Sequence, residues 1–123
     1  METVVTKNAP AAIGPYSQGK SDLGLLFTSG QIPIDPASGE LVTGDITAQA
    51  DQACKNVGEI LKAGGSSFDK VLKTTCFLAD MNDFPAFNAV YEKYFTSLPA
   101  RSCVAVKTLP KNVLCEVEAI AVK

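Results

Sequence analysis

The sequence has no histidine and no tryptophan, and Arg101 is its only arginine among 11 basic side chains. Without histidine, the side chain that most often serves as a general base near neutral pH is missing. The chain has no run of about 18 apolar residues, so no membrane span is predicted. It also has no basic run and a net charge of -2, which argues against a nucleic-acid surface. No secretory signal is predicted, because no basic stretch followed by an apolar one opens the chain.

The chain also lacks any Cys-x-x-Cys pair. Its four cysteines are Cys54, Cys76, Cys103 and Cys115. With no histidine, a zinc or iron–sulfur centre would need all the thiolates from scattered elements, so we predict no metal. Two or more of the cysteines are interpreted as small core residues. Free thiols suit a reducing compartment, and we therefore expect a cytoplasmic location.

The residues that are present predict one α+β domain over 1–123, with the element order β-β-β-α-β-α-β-β. Two helices can cover one face of a single mixed sheet. The predicted strands are 3–6, 17–20, 25–29, 70–80, 102–109 and 113–122, and the predicted helices are 46–63 and 84–96.

The two helices carry distinct sequence signals. Apolar residues recur at i, i+3 and i+4 over 46–63, with Asp45 as a suitable N-cap and Gly64-Gly65 as a stop. The second helix has Asn82 or Asp83 as its cap and Pro85 in its first turn. Its aromatic residues at helical spacing are interpreted as core: Phe84, Phe87, Tyr91 and Tyr94.

The last strand predicts what each face of the sheet touches. One face is small and apolar and suits contact with the helices: Val113, Cys115, Val117, Ala119 and Ala121. The opposite face mixes Glu116 and Glu118 with Leu114, Ile120 and Val122. A face of this mixed kind is predicted to be partly covered by another subunit.

We predict that the last two strands form a hairpin through Lys111-Asn112, which places Arg101 opposite Val122. Glu116 would then lie about 20 Å along the sheet from the position opposite Arg101, at the usual rise of a strand. If Arg101 and Glu116 serve one site, that site is therefore expected to lie between subunits.

Arg101 is the first candidate for a functional side chain. Its planar fork suits a carboxylate and its charge does not titrate, although a surface salt bridge is the alternative interpretation. Tyr16 is either a pocket wall or a packing aromatic, and Asn88 is expected at a rim. Gly30 either permits close approach of a ligand to the backbone or marks a strand end.

Four segments together resemble the Rid family of reactive intermediate deaminases, of the RidA type. They are Asn8–Gln18 (NAPAAIGPYSQ), Phe27–Pro33 (FTSGQIP), Pro99–Val104 (PARSCV) and Glu116–Ala121 (EVEAIA). The resemblance covers the whole chain. It implies a chorismate-mutase-like fold and a homotrimer with clefts between subunits. It also implies hydrolysis of 2-iminobutanoate and 2-iminopropanoate to 2-oxo acids and ammonia, without metal or organic cofactor.

The resemblance also implies the site. Arg101 would bind the substrate carboxylate and Glu116 would position or activate water, whereas Glu118, on the same face, is the competing carboxylate. The cleft would be lined by Tyr16, Ser29, Gly30, Asn88 and Cys103. Two departures from the family pattern are Cys115, where an aliphatic residue is usual, and a short segment between Tyr94 and Pro99. The alternatives are a non-enzymatic trimer that binds small acids or acts as a chaperone, and a ribonuclease or inhibitor of translation.

Overall fold

The computed structural model describes residues 1–123. The strands are β1 (Glu2–Val4), β2 (Gly19–Asp22), β3 (Leu25–Thr28), β4 (Val71–Leu78), β5 (Ala100–Ala105) and β6 (Cys115–Val122). The helices are α1 (Ile46–Ala63) and α2 (Phe84–Tyr94). This order confirms the predicted one, although β5 begins and ends earlier than expected. No helix combines the length and apolar character needed to cross a membrane.

All six strands form one sheet in the order β1-β2-β3-β6-β4-β5. Strands β4 and β5 are parallel, and every other neighbouring pair is antiparallel. Both helices contribute to one core cluster with the buried positions of β6, which are Cys115, Val117, Ala119 and Ala121. The predicted mixed sheet with two helices on one face is therefore confirmed. We call the other side the open face; it carries Phe27, Phe77, Glu116, Glu118 and Ile120.

Helix α1 has the predicted bounds and both predicted end signals. The Asp45 carboxylate accepts a hydrogen bond from the Ala48 backbone N–H at 3.0 Å. Gly64 is the C-cap, and Gly65 has a φ of +81°, which only glycine adopts without strain. Cys54 is fully buried on the core face, as predicted.

Helix α2 differs from the prediction at both ends. Pro85 lies in the first turn as expected, but Asp83 makes no capping hydrogen bond. Asp80 instead accepts from the Asn82 backbone N–H at 2.8 Å and caps the short turn before the helix. The helix ends at Tyr94, two residues before the predicted end. The chain then turns through Leu98, whose φ of +51° is incompatible with a helix.

The predicted hairpin of the last two strands is wrong. Strand β6 lies between β3 and β4, whereas β5 pairs with β4 at the edge of the sheet. Arg101 therefore lies opposite Thr74 rather than Val122. The β4–α2–β5 unit forms a parallel pair that needs a helical crossover. Residues 110–112 form a single 3-10 turn rather than a two-residue hairpin turn. The separation of about 20 Å between Glu116 and the position opposite Arg101 was calculated from that hairpin, so it no longer applies.

Candidate active site

The predicted site residues form two groups on opposite faces of the sheet. Arg101 shares a register position with Thr74, which is fully buried beneath the helices. Paired residues of parallel strands point to the same face, so Arg101 faces α2. Glu116 alternates with the buried Cys115 and Val117 and therefore points to the open face. One chain thus does not bring these two side chains together.

The Arg101 guanidinium is held by one stripe of α2. Its Nη1 donates a hydrogen bond to the Asn88 side-chain oxygen at 2.8 Å. Its central carbon lies 4.7 Å from the centre of the Tyr91 ring and 5.3 Å from that of Phe84. Residues 84, 88 and 91 have the i, i+4, i+7 spacing that puts them on one helix face. Arg101 makes neither of the two salt bridges in the chain, so no acidic side chain neutralises it.

Cys103 lies on the same face as Arg101, two positions further along β5 and opposite Cys76. Its thiol is half-buried. Burial raises the pKa of the Cys103 thiol, and the nearby Arg101 charge offsets only part of that effect. The thiol is therefore protonated at neutral pH and is a weak nucleophile.

Glu116 forms the second group together with Gly30. A methyl group on Gly30 would overlap the Glu116 carboxylate, whose carbon is 2.8 Å from the position such a methyl would take. Burial, and then the charge of Glu118, raise the pKa of Glu116 above its usual value. No salt bridge involves Glu116. A half-buried carboxylate with a raised pKa takes up a proton more readily than an ordinary glutamate, which suits it to accept and return a proton.

Ser29 and Tyr16 lie close to Gly30. The Ser29 hydroxyl donates to the Ser17 carbonyl at 2.5 Å, which ties the end of β3 to the loop before β2. Gln31 exchanges two backbone hydrogen bonds with Val117, at 2.8 and 3.0 Å, which place Gly30 next to Glu116. Tyr16 is half-exposed and shares with Gly30 the wall of a cavity of about 280 Å³.

Three structurally important residues were missed from the sequence. Gln18 is buried and holds the Tyr16 loop: its side-chain oxygen accepts from the Thr6 backbone N–H at 2.7 Å, and the two N–H groups of its amide are shared among three loop carbonyls. Phe84 and Tyr91 were assigned to a core stripe, yet both rings also contact Arg101. Their i, i+7 spacing around Asn88 was the available signal, but it says nothing about which strand they meet.

The sequence model of the family described as endoribonuclease L-PSP matches residues 6–123. The chain belongs to this family. Relatives that are 51–53% identical over 99% of this chain carry the name 2-iminobutanoate/2-iminopropanoate deaminase, so the predicted resemblance to the Rid family is confirmed. A Lactococcus lactis protein named as a candidate regulator, AldR, is 55% identical over 98% of this chain and 97% of its own. The 2-iminobutanoate/2-iminopropanoate deaminase of Escherichia coli K12 is 53% identical over 99% of this chain and 98% of its own.

Solved structures that superpose on the whole chain confirm the fold. The E. coli YjgF gene product superposes with a TM-score of 0.95 at 49% identity, covering 100% of this chain and 99% of that one. E. coli TdcF with bound serine gives a TM-score of 0.95 at 44% identity, with coverages of 100% and 99%. Identity this high over complete chains establishes the chorismate-mutase-like α+β architecture predicted from the sequence motifs.

Proposed function

We propose that this family member hydrolyses 2-iminobutanoate and 2-iminopropanoate to 2-oxo acids and ammonia. The observation that carries the proposal is an arginine that is held on one helix stripe by Asn88 and two rings and has no anionic partner in the chain. Such a fork is available for the carboxylate of a small acid. Full-length relatives from E. coli and mouse, 53% and 51% identical, carry the name of this deaminase. The bound serine in TdcF is also a small carboxylate.

In the proposed reaction, Arg101 binds the carboxylate and fixes the neighbouring C2 atom. Glu116 takes a proton from water as the water oxygen bonds to C2 of the iminium ion. Glu116 then returns that proton to the nitrogen of the carbinolamine. The C–N bond then breaks as Glu116 takes the hydroxyl proton, which releases the 2-oxo acid and ammonia. Glu116 passes that proton to the ammonia, which leaves as ammonium, and the carboxylate is restored. The iminium carbon is already electrophilic, so positioning and proton transfer suffice. Tyr16, Ser29, Gly30, Asn88 and Cys103 are proposed to line the cleft.

We propose that the complete site forms between subunits of a homotrimer. Arg101 and Glu116 point away from opposite faces of one sheet, so a single chain offers only half of the site on each face. The open face also exposes apolar side chains, with Phe27 at 44% and Val122 at 41% exposure. A second copy that covers this face would bury them and bring the two half-sites together. Light scattering should give about three times the chain mass of 12.9 kDa; a monomer would contradict this.

The activity is tested by coupling a pyridoxal-phosphate-dependent threonine dehydratase to this protein. The imine released should disappear faster than it does in buffer, and Arg101→Ala should return the rate to that of buffer. Arg101→Lys keeps the charge but loses the fork and should lose most of the activity. Wild-type protein that matches buffer would instead favour the alternative, a trimer that binds small acids or acts as a chaperone without catalysis.

The family description raises ribonuclease activity as another candidate, and we propose that this chain does not bind nucleic acid. Its net charge is -2, and it has no histidine for the acid–base step. Incubation with single-stranded RNA should leave the RNA intact at enzyme concentrations that remove the imine. We also propose a cytoplasmic location, because all four cysteines are free thiols.

A further inference from the structure

The Tyr91 ring packs against the Arg101 guanidinium. The central guanidinium carbon lies 4.7 Å from the centre of the Tyr91 ring, within the range of a cation–π contact. The Tyr91 side chain is 8% exposed, so it has almost no surface of its own to offer a ligand. Any effect of Tyr91 on substrate would therefore pass through Arg101.

The position of the Tyr91 ring is itself fixed from two sides. Its hydroxyl shares a hydrogen bond of 2.6 Å with the hydroxyl of Thr74 on β4, a residue that is fully buried. Its ring stacks on Phe95 with the centroids 4.4 Å apart. Thr74 is also the register partner of Arg101. The hydrogen bond therefore fixes the position of the Tyr91 ring relative to β4 and to the neighbouring strand β5, which carries Arg101.

The Tyr91 hydroxyl is not suited to act as a general acid or base. Burial raises the pKa of Tyr91 to about 12, with the Thr74 hydrogen bond offsetting part of the effect. The hydroxyl therefore stays neutral at physiological pH, and its single partner is the Thr74 hydroxyl. What the side chain supplies to the site is a fixed ring beneath a guanidinium.

We propose that Tyr91 is a positioning residue for the reaction: hydrogen-bonded to Thr74 and stacked on Phe95, it holds the Arg101 guanidinium in the plane that receives the substrate carboxylate. This inference rests on the proposed function only for the identity of the ligand. Asn88 restrains the fork at Nη1, and Tyr91 restrains its tilt. A guanidinium without the ring would keep its charge but sample orientations that bind a carboxylate through one hydrogen bond instead of two.

The single arginine gives a direct readout that does not depend on activity. In a ¹⁵N-labelled sample, only Arg101 contributes an arginine Nε–H signal. A proton held over an aromatic face is displaced upfield by the ring current. We expect an upfield Arg101 signal in the wild type, with a nuclear Overhauser contact to the Tyr91 ring. We expect most of that shift to be lost in Tyr91→Leu, which leaves only the effect of the more distant Phe84 ring at 5.3 Å, and we expect the full shift to be retained in Tyr91→Phe. A wild-type signal at the random-coil position without that contact would overturn the placement of the guanidinium.

Steady-state kinetics then test the positioning role. Tyr91→Leu should raise KM for the imine about tenfold, because loss of a cation–π contact of this kind weakens binding about tenfold. The change in kcat should be smaller. Tyr91→Phe loses only the hydrogen bond and should raise KM about threefold. The matched control is Val90→Ala, a buried change on the same helix whose aliphatic side chain offers Arg101 neither a hydrogen-bond acceptor nor an aromatic ring. It should lower the melting temperature and leave both KM and the Arg101 signal unchanged.

The outcomes separate the two proposals. Normal KM in a folded Tyr91→Leu variant, or the same KM change in Val90→Ala, would overturn the positioning role. If Tyr91→Leu does not fold, Tyr91→Phe decides, and an unchanged KM would refute the inference. A protein that shows the predicted Arg101 signal but no imine hydrolysis would refute the proposed function and leave the contact between Tyr91 and Arg101 standing.

Discussion

Mixing two inactive variants, Arg101→Ala and Glu116→Gln, is expected to restore activity. Each variant lacks one of the two groups that the proposed reaction needs. If the site takes Arg101 from one subunit and Glu116 from its neighbour, a mixed trimer contains some sites in which both groups are intact. If both groups came from one chain, no mixed trimer would contain an intact site.

The geometry of the sheet favours the first arrangement. Arg101 is opposite Thr74 and Glu116 is opposite Phe77, so their positions differ by three residues along β4. They also lie on strands separated by β4, which is about 10 Å across the sheet, and three residues add about 10 Å along it. The backbone positions are thus about 14 Å apart by this geometry, and the side chains point to opposite faces. No small imino acid spans that path through the core.

The assay is the coupled dehydratase reaction after the two variants have been unfolded together in equal amounts and refolded. In a randomly assembled trimer, each site has a chance of about one half of receiving an intact Arg101 and about one half of receiving an intact Glu116. About a quarter of the wild-type activity should therefore return. The control replaces the Glu116→Gln variant with the double variant, and it should recover nothing.

One result would refute the reasoning. If native mass spectrometry shows that mixed trimers have formed and the mixture is still no more active than its components, the two groups do not meet across an interface. The site would then have to be built by one chain, which needs a different arrangement of β5 and β6 from the one described.

Three further outcomes are expected. Glu118→Gln removes the negative charge that helps to raise the pKa of Glu116, so that pKa should fall and the acid limb of kcat/KM should move to lower pH; an unmoved limb would contradict this. Gly30→Ala forces the Glu116 carboxylate aside. Because a misplacement of about 1 Å can cost about 100-fold in rate, kcat/KM should fall about 100-fold. Normal kinetics would show that the carboxylate has room to move. Asp45→Ala should cost about 1 kcal/mol of unfolding free energy in urea without altering the kinetics of the folded enzyme, and an unchanged midpoint would show that the cap is not stabilising.

The local parts of the fold were predictable because their signals are local. The bounds of α1 follow from apolar spacing between Asp45 and Gly64, and the structure reproduces them. The alternation along β6 likewise predicted which residues lie beneath the helices. Each of these signals depends on residues close together in sequence, so no knowledge of the rest of the chain was needed.

The pairing of strands was not predictable in the same way. Adjacent β5 and β6 looked like a hairpin because sequential strands usually pair. What decides against it is the crossover through α2, which lays β5 parallel to β4 and leaves the place between β3 and β4 for β6. The small buried residues of β6 suit that central place, but small apolar residues also occur at edges. The expectation of a site between subunits survives on different grounds, namely the opposite faces of Arg101 and Glu116.

The separation of Arg101 from Glu116 also explains how both remain available. Had they projected from the same face within about 4 Å, their attraction would be about 4 kcal/mol at the dielectric typical near a protein surface. The arginine fork would then be occupied by the chain's own carboxylate, and a substrate would have to displace it. The sheet prevents this pairing in the isolated chain: neither residue takes part in a salt bridge. In the proposed trimer, assembly would place a guanidinium at the substrate carboxylate and a carboxylate at the adjacent imine carbon. The substrate itself would then occupy the space in which the ion pair would form.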